Sequence, residues 1–517
     1  MISAHPEDVA LLRAIRDEPD DAARRAPLAE RLRARGDPEA AVWVADPRPE
    51  CDGAFETFAA LTRRIVRDGA AFFAGATDTY ALALAAGASM RIEVAAGLPR
   101  WIAIDGWDLR DLGALIDRLS MWAPSACARI RVPVAAVQRA MATVLAPLPA
   151  FALELVGGVV ERPPLEAAVG FDGLRGLAFS VRRTDLAAAL ALLPRAHGLR
   201  ELVVNVVDVG EPVELDLTPL AALSRLERIT VMDRVDGLVV RIGGTWPELA
   251  RIAISGTIER LPTAQLPRLV RAEYRLASAS ERPLVAPAMA LRGAKLRPVM
   301  ELVAGQGVLA LELSGPLGMA APSAWADLAS LDVRHLAVRT EVLPGGALEA
   351  FRGRERPSSF ALHVGGPSLA LDLSALDRVT CLRLVGLAPC ERLPPRLRAL
   401  HAPSLRRVFD LGTMAGLEYL HAPWLDPELV AFELPAKAYW RWLGGRYPIG
   451  PILPELAIVD LRSGDGPAVV RDAGPVVELH DPAARGGVAI EIGPPRPETV
   501  WGGIPSSLLE HPRVFRA

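Results

Sequence analysis

The chain has 517 residues and a formal net charge of −3, and 51% of it is hydrophobic while only 5% is aromatic, so Ala, Leu and Val must carry the burial. A near-neutral total gives no overall electrostatic attraction to nucleic acid or to an acidic membrane surface. Cys51, Cys127, Cys381 and Cys390 lack CxxC spacing, which argues against a disulfide framework and a zinc knuckle.

The first ten residues, "MISAHPEDVA", lack a basic segment followed by an apolar one, and no apolar run approaches about 18 residues. The expectation is a cytoplasmic chain without a membrane span. From residue 7, "EDVALLRAIR" places Val9, Leu11, Leu12 and Ile15 at helical spacing behind Pro6. A second helix is predicted through "DAARRAPLAERLRARG", ended by Gly36 after three arginines that complement the helix dipole. Together, "LLRAIRDEPDD" and "LAERLRARGDPEAA" resemble the short repeat-companion domain at the N-terminus of many bacterial proteins with degenerate leucine-rich repeats. Glu30, Arg31 and Leu32 stand where that family usually carries Asp-Trp-Leu. The resemblance implies a helical module ahead of a repeat array and brings no activity with it.

Weaker strand patterns follow at "RWIAIDG", "ARIRVPV" and "FALELVG". An LxxLxL string, with Val, Ile or Ala allowed, then starts at Leu174, Leu199, Leu226, Leu249 and Leu269, at intervals of 25, 27, 23 and 20 residues. It returns from Val308, Val333, Val379, Leu397 and Leu417. This is leucine-rich-repeat spacing: each unit is a short strand whose fourth and sixth positions enter a shared core while the third and fifth face outward. The return segments look mixed, helical in "DLRDLGALIDRLSMW" and "TDLAAALALL", where Thr184 is a candidate N-cap, and extended in the short units after Val379. With Asn205 as its one asparagine, the chain cannot build the side-chain ladder of standard leucine-rich repeats, so the turn backbone must be satisfied otherwise. Unit boundaries between about 277 and 308 are not defined by the pattern, and one or two units can hide there.

The expected fold is thus an α/β solenoid, a degenerate leucine-rich-repeat-like array with parallel strands on one face. The expected division is a helical domain over 1–49, a helical linker and N-terminal cap over 50–98, the array over 99–425, and a C-terminal cap with a β-rich tail over 426–517. Trp440 and Trp442 in "YWRWL" suit the plug that a repeat array needs at its end.

Two constellations suggest binding. Arg228, Arg251 and Arg271 hold the third strand position in consecutive units, with Glu201 on the preceding strand and Glu273 two places further along the last. Such a row can grip carboxylates or phosphates through paired N–H donors, or form a solvated face. In "LRALHA" and "LEYLHA" the fifth position is histidine, so His401 and His421 should stand side by side, near Arg383 and Tyr419. Two imidazoles fall short of a zinc site, which needs three or four ligands, and Cys381 on the strand before is the one further candidate.

No GxxxxGK[ST], HExxH, GxSxG or EF-hand pattern occurs. "GQGVLA" at Gly305 runs into a strand where a phosphate-binding helix would have to begin. Lys295 and Lys437 are the only lysines, and neither has a supporting motif. These readings point to a non-catalytic scaffold or regulatory subunit for a protein partner, without a cofactor. The alternatives are a metal sensor or metal-dependent enzyme centred on His401 and His421, and a nucleic-acid-binding regulator using the arginine row.

Overall fold

A computed structural model describes residues 6–17, 21–45, 98–105 and, with short gaps, 123–402. It also describes the backbone of strands at 89–95, 419–421, 439–443, 458–463, 466–467, 476–480 and 487–493. Most of the expected linker and cap over 50–98, nearly all of the helix read in "DLRDLGALIDRLSMW", and the last residues lie outside the described residues. The chain is an α/β fold built on extensive parallel pairing, and it divides into two compact units.

The first unit comprises Ile2–Pro47 and Gly75–Gly293. Its helices are α1 (Val9–Asp17), α2 (Ala22–Ala34) and α3 (Pro38–Ala45). Asp21 caps α2 by accepting from Ala23 N at 2.8 Å, and Gly36 ends it in the left-handed region at φ 80°, where a side chain would be strained. The module's core of Leu12, Ile15, Leu28, Leu32, Ala41 and Val44 also includes Leu98, the first residue of a strand. Buried Asp8 accepts from Arg31 at 3.1 Å and from Arg35. Burial alone would raise its carboxyl, but the hydrogen bonds from Arg35 and Arg31 outweigh that and hold it below the usual value.

The strands are β1 (Ser89–Ala95), β2 (Leu98–Asp105), β3 (Cys127–Pro133), β4 (Phe151–Val156), β5 (Leu174–Val181), β6 (Glu201–Val206), β7 (Val213–Asp216), β8 (Arg228–Asp233), β9 (Leu238–Ile242), β10 (Arg251–Ile254), β11 (Thr257–Arg260), β12 (Arg271–Arg275) and β13 (Ala288–Arg292). β1 pairs antiparallel with β2. From β2 the ladder runs parallel through β3, β4, β5, β6, β8, β10, β12 and β13. Fourth and sixth motif positions fill the core: Leu202 and Val204, Ile229 and Val231, Ile252 and Ile254, Ala272 and Tyr274 are all buried. Burying each of the larger side chains contributes about 1.5–3 kcal/mol, which a lone strand could not realise.

Opposite this ladder the returns are helical at Arg162–Val169 and Arg183–Leu192. They are extended at β7, β9 and β11, which form a second parallel sheet in the order β7-β9-β11. Thr184 lies inside its helix: the cap residue is Arg182, and the N–H of Arg183 donates 2.8 Å to the Asp208 carboxylate from the loop after β6. Backbone bonds tie the units together where their strands begin. Arg200 O accepts from Glu227 N and Arg228 N, Glu227 O from Ala250 N and Arg251 N, and Ala250 O from Val270 N and Arg271 N.

The second unit comprises Met1, Arg48–Ala74 and Ala294–Ala517. Its strands are β14 (Ala310–Ser314), β15 (His335–Thr340), β16 (Ser359–Val364), β17 (Leu371–Asp372), β18 (Cys381–Gly386), β19 (Cys390–Arg392), β20 (Ala399–His401), β21 (Tyr419–His421), β22 (Tyr439–Leu443) and β23 (Ile458–Ser463). β14, β15, β16, β18, β20, β21, β22 and β23 pair in parallel in that order, and β17 pairs with β19 in the return layer. Parallel pairing therefore continues past residue 425, the expected end of the array. An antiparallel hairpin of Val476–His480 with Gly487–Gly493 follows in the tail.

In the main ladder, β13 and β16 escaped the sequence pattern. They follow Ala286 and Pro357, small or rigid residues where the motif asks for leucine.

Arg183 is a buried staple: it donates to Glu211 O at 2.6 Å and pairs with Asp233, which also accepts from Gly237 N at 3.1 Å. Asp233→Ala would strand the guanidinium and is expected to destabilise the first unit by about 3–5 kcal/mol. Urea unfolding of that variant checks it. Because the Asp8 carboxyl is lowered, its contribution is complete above the unfolded value and is lost as pH falls through the folded one. Acid unfolding followed by hydrogen exchange in α1 and α2 should therefore be less pH-dependent in Asp8→Asn than in the unaltered chain.

Candidate functional site

Because the ladder holds its register, third-position residues of successive units stand in one row. Gly176, Glu201, Arg228, Arg251, Arg271 and Ala288 are direct neighbours, about 4.8 Å apart from strand to strand. All four charged members are half-buried, on the face opposite the core. Glu273, two places along β12, pairs with Arg292 on β13.

This face is the inside of a curve. Arg129 on β3 meets Glu201 on β6 at 2.7 Å, although Ala152 and Gly176 occupy the two strands between them in register. Arg100 on β2 comes within 3.6 Å of Glu227, which precedes β8. Along the ladder those two are five spacings apart, roughly 24 Å, farther than the two side chains reach over a flat sheet.

Small residues make that curvature possible. A Cβ at Gly176 would lie 2.7 Å from the Ala152 Cβ and 3.6 Å from Trp101, so glycine is required by the close approach. Over this floor the Arg129 guanidinium stacks on the Trp101 ring at 4.9 Å.

At the mouth of the curve is a small cleft lined by Arg16, Arg100, Trp101, Ser125, Cys127, Arg175, Arg200, Glu201, Glu227 and Arg228. Arg16 comes from α1, Arg100 and Trp101 from β2, and the rest from strands or the residues just before them. Arg175 reaches the cleft through a bulge: Phe151 pairs with Leu174 and Ala152 with Gly176, which leaves Arg175 without a register partner on β4. Glu227 is shared by Arg200 at 3.0 Å and Arg100 at 3.6 Å. Burial, and then repulsion from Arg200, holds the Arg175 guanidinium below its usual value. Burial pushes the Cys127 thiol up to about 11, which leaves it protonated and non-nucleophilic.

The sequence reading named Glu201 and Arg228 but not Arg16, Arg100, Trp101, Arg175 or Arg200. One signal was available: Arg175, Arg200 and Glu227 all hold the second position of their motifs, so they too form a row.

In the second unit, Arg383, His401, His421 and Arg441 are successive register neighbours. Cys381 shares its row with Ala399 and Tyr419, two residues before the histidines, about 7 Å along the strand. Its thiol is buried. Cys381 is therefore not a lateral neighbour of the pair, and among the described residues no three His, Cys, Asp or Glu side chains are grouped to hold a metal. The side chains of His401, Tyr419 and His421 lie outside the described residues. No helix among the described residues is long and apolar enough to cross a membrane.

Comparison of the chain with protein-family models and with curated proteins gave no match.

At pH 8 a thiol with a pKa of about 11 is ionised in about one molecule per thousand, so Cys127 in the folded chain should resist iodoacetamide. The same holds for Cys390, pushed by burial to about 12. Peptide mapping after alkylation, with and without denaturant, should find both residues labelled only in the unfolded chain.

Proposed function

We propose that this chain is a non-catalytic binding scaffold, a degenerate leucine-rich-repeat-like solenoid behind a repeat-companion module, whose arginine-bearing strand face receives an acidic segment of a protein partner. The observation that carries the reading is the register of Arg228, Arg251 and Arg271 on adjacent strands. Three guanidiniums at strand spacing match carboxylates carried on an extended or helical segment, each able to take paired N–H donors. The reading is also supported by the long ladder, which offers a continuous face in the way that repeat arrays do. It names no particular partner, since architecture alone licenses only the class.

The test uses the two arginines outside the cleft. Affinity purification from native cells is compared between the unaltered chain and an Arg251→Glu, Arg271→Glu variant shown to be folded by circular dichroism. Charge-assisted hydrogen bonds contribute about 1.5–3 kcal/mol each, so a genuine partner should lose affinity about 100-fold or more in the variant. Recovery of the same proteins in equal amounts from both would remove the support for this face as the docking surface.

A further inference from the structure

The cleft differs from the rest of the strand face because it is partly enclosed and arginine dominates its lining. Five guanidiniums line it, from Arg16, Arg100, Arg175, Arg200 and Arg228, against the two carboxylates of Glu201 and Glu227. Those carboxylates are already engaged, Glu201 by Arg129 and Glu227 by Arg200 and Arg100, while Arg16 is held by its neighbour Asp17 at 3.1 Å and Arg175 donates to the Asp172 carbonyl.

Two buried donors on the lining have no protein acceptor: the indole N–H of Trp101 and the Nε of Arg200. Trp101 is 7% exposed and Arg200 8%. A buried donor without a partner costs about 1–3 kcal/mol, so two at one cleft, beside crowded positive charge, call for an acceptor from outside the chain. The lowered Arg175 guanidinium has the same cause, since burial and the nearby Arg200 charge both act against its protonated form.

We infer that this cleft binds a phosphate dianion, either inorganic phosphate or the phosphate of a small monoester, held by Arg175, Arg200 and the Trp101 indole N–H, with Arg16 closing the site from α1. A dianion suits a lining dominated by arginine better than a single carboxylate does. Its three terminal oxygens accept from several directions, as donors drawn from α1, β2 and the starts of β5 and β6 require. The bulge at Arg175 fits this role: it leaves Arg175 without a register partner on β4 and its guanidinium at the cleft. The inference stands independently of the partner reading, because Arg251 and Arg271 do not line the cleft.

Isothermal titration of the full chain with inorganic phosphate, methyl phosphate and acetate, at matched ionic strength, tests it. Inorganic phosphate or methyl phosphate should bind saturably with one site, and acetate much more weakly. Whichever phosphate binds tighter distinguishes the free ion from the ester, and either order supports the site.

Arg175→Gln removes a charge from a crowded site and should fold. It should weaken phosphate binding about tenfold or more, as should Trp101→Phe, which keeps the ring and loses the N–H. The inference is overturned if no saturable phosphate binding is found at tens of millimolar, if acetate binds equally well, or if Arg175→Gln and Trp101→Phe, both folded by circular dichroism, bind as the unaltered chain does.

Discussion

Everything distinctive about this molecule depends on the unslipped register of its parallel ladder. Side chains on a strand alternate with a period of two, so a shift of one residue would exchange core and surface over a whole strand. Leu202, Ile229, Ile252 and Ala272 hold the register because each is buried against the return layer. The same alignment places Glu201, Arg228, Arg251 and Arg271 side by side. Packing on one face thus writes the charge pattern on the other. A slip would scatter the row as surely as it would expose the core.

The second constraint is the space inside the curve. Where strands bend toward one another, bulky third-position residues would collide, and Ala152 and Gly176 occupy those places. Long side chains then lie across the vacated floor, Arg129 to Glu201 and Arg100 to Glu227. These are contacts between residues far apart in sequence, made by charges only partly screened from water. They hold the geometry of the cleft more than they add stability, since pairing in such a setting must first repay desolvation.

Most of the ladder was legible in the sequence, because leucine at the first motif position marks the unit and the fourth and sixth positions repeat it. The exceptions follow from the same rule. Ala286 and Pro357 stand where the motif asks for leucine, and the strands they introduce went unread. The second sheet of β7, β9 and β11 went unread, since extended returns were expected only after Val379 and its pairing depends on how units stack. Of the candidate site, the arginine row came directly from the period. The cleft did not, because Arg16, Trp101 and Arg200 are brought together by curvature and by the docking of α1, neither of which leaves a spacing in the chain.

The lack of asparagine connects these points. Here the carbonyl of the second motif position accepts two backbone N–H groups from the next unit, as Arg200 O does from Glu227 and Arg228. These bonds use only backbone atoms, so the side chain at that position is free to vary. Arg175, Arg200 and Glu227 are three such side chains, and all three line the cleft. In the later units the corresponding residues are Ala250 and Val270, which make the same backbone bonds with no charge to offer. The binding chemistry is therefore concentrated at the start of the ladder by the choice of residue at a position whose structural duty belongs to its carbonyl.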